Sequence, residues 1–346
     1  MIHSKTKIIN FPNPQSPIPN PQSRFRIPHS AFRISSDSWL LTPEFALLSV
    51  SVLLLSLLAF SRNFIWQDDV SLWSSVVEQS PHKARGYNML GFSYLEQKSY
   101  EKALPYFFTA LKLWPSYPET LVNLSRYHIL KGMYDEAIKE CRAALEKRPE
   151  YLDAHLNLGV AYLRKGFTDL AISEYQDALK IKPTYAEALN NLGLLYQIKG
   201  QYKEAVEYIR NALRINPDFP EAHFNLGEAL SKTGLMDEAI SAYRQAVILK
   251  PAYWEAQYNL ANLYAVRKAS GEAISAYQSV LKINPRFSPA WNNLGNIYLI
   301  MNRIEDAKSS YEQALRYDPG NVQARNNLEM VMRGRQNSEV RSRNLE

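Results

Sequence analysis

The chain has 346 residues with a formal net charge of +6, six histidines and one cysteine. A lone cysteine forms no intramolecular disulfide and leaves the compartment open. The charge divides as +3 over residues 1–61 and +2 over residues 333–346, so about +1 is left between them, which excludes the basic stripe of a nucleic-acid binder.

Residues 1–38 are rich in proline and polar residues. PNPQS recurs at Pro12 and Pro19 and FRI at Phe25 and Phe32, each seven residues apart, with no heptad apolar seam. Such a composition predicts disorder, at most polyproline II, and Pro14 with Pro17 makes a bare PxxP. The abrupt change near Asp37 suggests a tail joined in front of a truncated gene and not native to it.

Phe45–Ser61 is 17 residues without a charge, bounded by Glu44 and Arg62 and flanked by Trp39 and Trp66. A signal-peptide core and a buried helix are the alternatives, but the preceding stretch is long for a signal and the segment lacks the phase of the repeats below. A single transmembrane helix over residues 40–61 is therefore expected. Lys5, Lys7, Arg24, Arg26 and Arg33 precede it, whereas only Arg62 follows closely. The charge bias places the N-terminus in the cytoplasm and the rest on the non-cytoplasmic side, periplasm or lumen.

From Pro81 onward a strict rhythm begins. Pro81, Pro115, Pro149, Pro183, Pro217, Pro251, Pro285 and Pro319 are each 34 residues apart. Leu90, Leu124, Leu158, Leu192, Leu226, Leu260 and Leu294 share one phase, followed by glycine except at Ser125 and Ala261. Ala103, Ala137, Ala171, Ala205, Ala239, Ala273 and Ala307 share another, followed four residues later by an aromatic except at Cys141 and Ile209. Tyr87, Leu90 and Tyr94 make one apolar helical stripe; Ala103, Phe107, Ala110 and Leu111 make a second. Pairs such as Lys131–Gly132, Lys165–Gly166 and Lys199–Gly200 break the two helices, and the proline ends the second. A lone hairpin cannot bury its apolar face, so neighbours must stack.

The predicted order is a lone second helix over residues 66–81, capped at Asp68, then seven units: 84–117, 118–151, 152–185, 186–219, 220–253, 254–287 and 288–321. Trp73, Val76 and Val77 of the lone helix fall in the phase of Phe107, Ala110 and Leu111. A solvating cap helix follows over residues 322–334, with Val322, Ala324, Leu328 and Val331 on one face, and a disordered tail over residues 335–346.

The recurring pattern "NLG.LY…G…EA……AL.I.P" resembles the tetratricopeptide repeat over residues 84–321. The resemblance implies an all-α, right-handed α-solenoid whose first helices line a concave face used for binding peptides and proteins. A looser resemblance covers Arg62 to Gly91. It is similar to the junction in membrane-bound glycosyltransferase-like proteins, where the last span leads into tetratricopeptide repeats. The domain bearing that family's catalytic residues is absent, so none is carried over.

The residues offer little chemistry of their own. His3, His29, His82, His128, His155 and His223 match no metal-ligand spacing, and Cys141 takes the phase of a buried aromatic. Asn123-Leu124-Ser125 is a glycosylation sequon only in a host that glycosylates asparagine. Neither catalytic residues, cofactor nor metal is expected.

Immediately before the repeat leucine stand Asn123, Asn157, Asn191, Asn225, Asn259 and Asn293, and only the first unit differs, with Met89. The resemblance places this position in the groove, and repeats like these are similar to the superhelix of O-linked N-acetylglucosamine transferase, where such ladders occur. A carboxamide donates and accepts, so it can hold a peptide backbone without reading side chains. First helices ~10 Å apart match about three residues of extended chain, so six rungs would hold roughly fifteen to twenty residues. Phe224 and Tyr258 add apolar surface. Glu119, Asp153, Glu187, Glu221 and Glu255 lie four residues earlier, where they stabilise a helix N-terminus and would favour basic ligands. The expected function is a membrane-anchored scaffold for proteins or extended peptides. The alternative is the non-catalytic, substrate-recruiting part of a membrane O-glycosyltransferase-like protein, working with a separate catalytic chain.

Overall fold

The computed structural model describes Val52, Ser56 and residues 68–343. Sixteen helices occur among the described residues: α1 (Asp69–Gln79), then α2 (Ala84–Glu96) with α3 (Tyr100–Leu113), α4 (Pro118–Leu130) with α5 (Tyr134–Lys147), and α6 (Leu152–Arg164) with α7 (Thr168–Ile181). They continue as α8 (Ala186–Ile198) with α9 (Tyr202–Ile215), α10 (Pro220–Lys232) with α11 (Met236–Leu249), α12 (Trp254–Val266) with α13 (Ser270–Ile283), α14 (Ser288–Ile300) with α15 (Ile304–Tyr317), and α16 (Val322–Arg343). Each pair is one repeat, and the described chain divides after Lys182 into two compact units. The fold is an all-α solenoid.

The expected span and the location drawn from it need correction. Among the described residues no helix is long and apolar enough to cross a membrane. The segment assigned to the membrane, residues 40–61, lies outside the described residues except for Val52 and Ser56. The Pro-rich segment over residues 1–38 lies outside them entirely.

Local chemistry explains the helix ends. Asp68 caps α1, its carboxylate accepting from the Ser71 backbone N–H at 2.8 Å and from its hydroxyl at 3.0 Å. Between the helices of a pair the chain turns through one left-handed residue: Gly132, Gly166, Gly200 and Gly234, with φ between 77° and 85°. Repeats one, six and seven use Lys98, Lys268 and Asn302 instead, at φ near 60°. The residue after each turn reaches back to close it, as Met133 N–H does to the His128 carbonyl at 2.8 Å.

The pairs are held by a small-to-large fit. A Cβ added at Gly159 would lie 2.4 Å from the Tyr175 ring, and one at Gly193 would lie 2.4 Å from Ile209. Glycine leaves room for the close approach at these two positions, where both partners are fully buried, and Ala261 takes its place beside the buried Tyr277. Where Ser125 replaces glycine, its partner shrinks to the buried Cys141. Outside the pairs, α1 packs on α2 through Val76 and Val77, whose methyls lie 3.3–3.5 Å from where a Gly86 Cβ would be.

At the other end α16 occupies the place of a first helix, burying Ala324 and Val331. Asn321 caps it, accepting from Ala324 N–H at 3.0 Å. The helix runs past the expected boundary at residue 334 to Arg343, through arginine, glutamine and glutamate, which favour helix without burial.

Candidate functional site

The first helices present one face of each repeat in common, and the predicted asparagines lie on it. In the unit ending at Lys182, Asn123 Nδ2 donates to Asn88 Oδ1 at 3.0 Å, joining α4 to α2. Asn157 Nδ2 donates to the Val122 carbonyl at 3.2 Å and the Ser125 hydroxyl at 3.1 Å, joining α6 to α4. Its Oδ1 is buried without a partner.

In the unit from Pro183 onward the same rule holds. Asn225 Nδ2 donates to Asn190 Oδ1 at 3.0 Å. Asn293 Nδ2 donates to the Tyr258 hydroxyl and to Asn262 Oδ1, both at 3.1 Å. Asn327 of α16 donates to Asn292 at 3.1 Å and Asn296 at 2.9 Å. Asn259 departs from the rule and donates to the second helix of the preceding repeat, to the Tyr243 hydroxyl at 3.3 Å. Asn191 is buried with neither amide atom bonded. Asn123, Asn157, Asn225 and Asn293 therefore stitch their first helices to the preceding one, with a partner 31 to 35 residues back. Asn157, Asn191 and Asn225 are at most 4% exposed, whereas Asn123, Asn259 and Asn293 keep partial access.

Phe224 and Tyr258 are half-buried beneath an aromatic that precedes the next first helix: Phe224 lies 5.1 Å from Tyr253 and Tyr258 lies 4.9 Å from Phe287. Tyr117, Tyr151, Tyr185, Phe219, Tyr253 and Phe287 all hold that place, a phase of the 34-residue period that sequence reasoning passed over.

Two of the acidic residues have cations. Glu119 pairs with Arg148 at 2.8 Å and Glu221 with Lys250 at 3.0 Å. The exposed residue at the corresponding place in the first repeat is Arg85, a cation where later repeats carry acid. Around it lies a pocket of about 300 Å³ that also takes in Asn88, Met89, Phe92, Asn123 and Tyr151. It brings together a guanidinium, the Glu119 carboxylate, carboxamides and apolar surface, and Arg126 lies over the Phe92 ring at 5.6 Å. Burial pushes the hydroxyl pKa of Tyr151 up, so it stays neutral there.

The histidines have structural partners. His128 lies 2.8 Å from Glu140, whose carboxyl burial pushes up against the opposing pull of that histidine. His155 bridges Glu174 at 2.8 Å and the Pro149 carbonyl at 2.9 Å. His223 bonds the Pro217 carbonyl at 2.8 Å. Burial pushes the Cys141 thiol up to about 12, which keeps it protonated and unreactive. Among the described residues no group of three metal-ligating side chains comes together.

Two family models, both for the tetratricopeptide repeat, match the chain. One covers residues 84–117, 186–219 and 288–321, the other residues 122–186 and 232–286. No curated protein matches. Among solved structures, a chain of the APC/C hetero-tetramer Cut9-Hcn1 is similar at 18% identity and a TM-score of 0.62 over 78% of this chain. This chain spans 53% of that relative's length. Pseudomonas aeruginosa pilF is similar at 21% identity and a TM-score of 0.56, over 60% of this chain and 95% of its own. Both likenesses concern the fold.

Proposed function

Because the chain belongs to the tetratricopeptide-repeat family, we propose that it is a scaffold that binds segments of partner proteins on the face formed by its first helices. The observation that carries this reading is the pocket of the first two repeats. Arg85 offers charge, the partly exposed Asn123, held by the buried Asn88, offers a carboxamide for backbone-type hydrogen bonds, and Phe92 with Met89 offers apolar contact, all within one concavity. That mixture suits a peptide whose main chain and side chains are both held. The predicted asparagines enter as two groups. Asn123, Asn259 and Asn293, with Phe224 and Tyr258, keep access to ligand, while Asn157 and Asn225 hold the spacing between helices and Asn191 is buried. No observation favours the glycosyltransferase-like reading over this one.

The test uses peptides selected from a random display library on the immobilised full chain. Arg85→Ala and Phe92→Ala should each weaken the selected peptides about tenfold, the size of one lost charge-assisted bond or one buried aromatic contact. Helicity should be unchanged. Affinity equal to the parent in both variants would overturn the reading.

A further inference from the structure

In the unit from Pro183 onward, Asn262 and Asn296 stand one repeat apart, and neither was singled out by the sequence. Asn262 Oδ1 accepts from the Tyr277 hydroxyl at 2.7 Å and from Asn293 Nδ2 at 3.1 Å. Asn296 Oδ1 accepts from the Tyr311 hydroxyl at 2.8 Å and from Asn327 Nδ2 at 2.9 Å. Both carbonyls are thus saturated; Asn262 also hydrogen-bonds the Tyr258 hydroxyl, so the half-buried side chains are left with one N–H at Asn262 and the NH2 of Asn296 for a ligand. One helical turn further on stand Val266 and Ile300, 61% and 74% exposed. An i, i+4 pair lies on one helix face, so each rung pairs a donor with apolar surface. Met330 continues the Asn262 and Asn296 phase on α16 and is 54% exposed.

Resting on the peptide-binding reading, we propose that this row is a second site, and that its ligand is a proline-rich peptide in polyproline II conformation with an apolar residue every third place. The rungs donate and do not accept. A proline backbone accepts and does not donate, so only one N–H in three, that of the apolar residue, is left to be met by water. The spacing points the same way. Packed helices lie about 8–10 Å apart, and three residues of polyproline II advance about 9 Å and return the side chain to the same face. A β-extended chain advances a similar distance in three residues but turns the third side chain to the opposite face.

The probe is the synthetic peptide (Leu-Pro-Pro)5, compared with a peptide of equal length and composition whose leucines fall at every second place. Binding is read by calorimetry on the full chain. The first peptide should bind about tenfold more tightly, the worth of two lost apolar contacts or hydrogen bonds. Val266→Glu and Ile300→Glu, both at exposed positions, should each abolish that preference, and Asn262→Ala with Asn296→Ala should weaken binding. If the asparagine pair fails to fold, the two glutamate variants decide. Equal binding of the two peptides, or a preference surviving both glutamate variants, would overturn the proposal. Phe92→Ala should leave (Leu-Pro-Pro)5 binding intact. Loss of binding in that variant would place the peptide in the first pocket and sink this site alone, whereas no effect of Phe92→Ala on library-selected peptides would sink the first reading alone.

Discussion

At the scale of single residues, one recurring task is done by four kinds of side chain. The carbonyl of the repeat proline accepts from the residue six places later: His155, His223, Gln257, Trp291 and Arg325 donate to Pro149, Pro217, Pro251, Pro285 and Pro319. The requirement is a donor of the right reach, so no one residue type serves throughout and the sequence hides the rule. The asparagine shows the opposite failure of legibility. Its recurrence is plain, but a period of 34 residues says only that it returns, and its partner on the preceding helix was visible only in the fold. His155 gives a pH prediction. Burial pulls its pKa down, but the bonds to Glu174 and the Pro149 carbonyl outweigh this, with Asp177 adding to the pull, and the folded value rises above the usual 6.5. Stability from this group is therefore fully present below pH 6.5 and is lost as pH rises through the folded value. Thermal midpoints from pH 6 to pH 9 should fall in the parent. His155→Gln, which keeps the proline bond as Gln257 does, should flatten that fall; an unchanged slope would show that other groups set it.

At the scale of elements, the helix pairs were legible because proline spacing, apolar stripes and the glycine turn agree. The turn itself was legible in the repeats that carry Lys-Gly pairs and obscure where the left-handed residue is Lys98, Lys268 or Asn302. A lysine there pays the steric cost of a Cβ in the left-handed region, about 1 kcal/mol. Lys268→Gly should therefore stabilise the protein by roughly 0.5–1 kcal/mol, measured by denaturant unfolding. A loss of stability would mean that the exposed lysine makes some compensating contact. Gly132 and its equivalents have nothing near the missing Cβ, so the turn selects glycine for backbone conformation alone, unlike Gly159 beneath its ring.

At the scale of the whole molecule, repeats touch mainly their neighbours. Within the first unit Lys131 pairs with Glu101 at 2.8 Å and Lys165 with Asp135 at 2.5 Å, each reaching back one repeat; in the second, Arg267 pairs with Asp237. These pairs are exposed and each contributes at most about 1 kcal/mol. The larger share comes from buried faces such as the Ala324 and Val331 side of α16. A chain ending at Asn321 should lose hydrogen-exchange protection in α14 and α15 while α2 to α7 keep theirs. Protection lost everywhere would show that the repeats unfold as one block.

The close approach at glycine has a final consequence at the C-terminal end. Glu329 of α16 falls where Gly295 stands in the repeat before it, and a Cβ at Gly295 would meet the Tyr311 ring at 2.6 Å. Any ring-bearing helix that tried to dock on α16, from this molecule or another, would meet a side chain where it needs a void. In the language of polymer growth, Glu329 disfavours the addition of a further ring-bearing unit at this face.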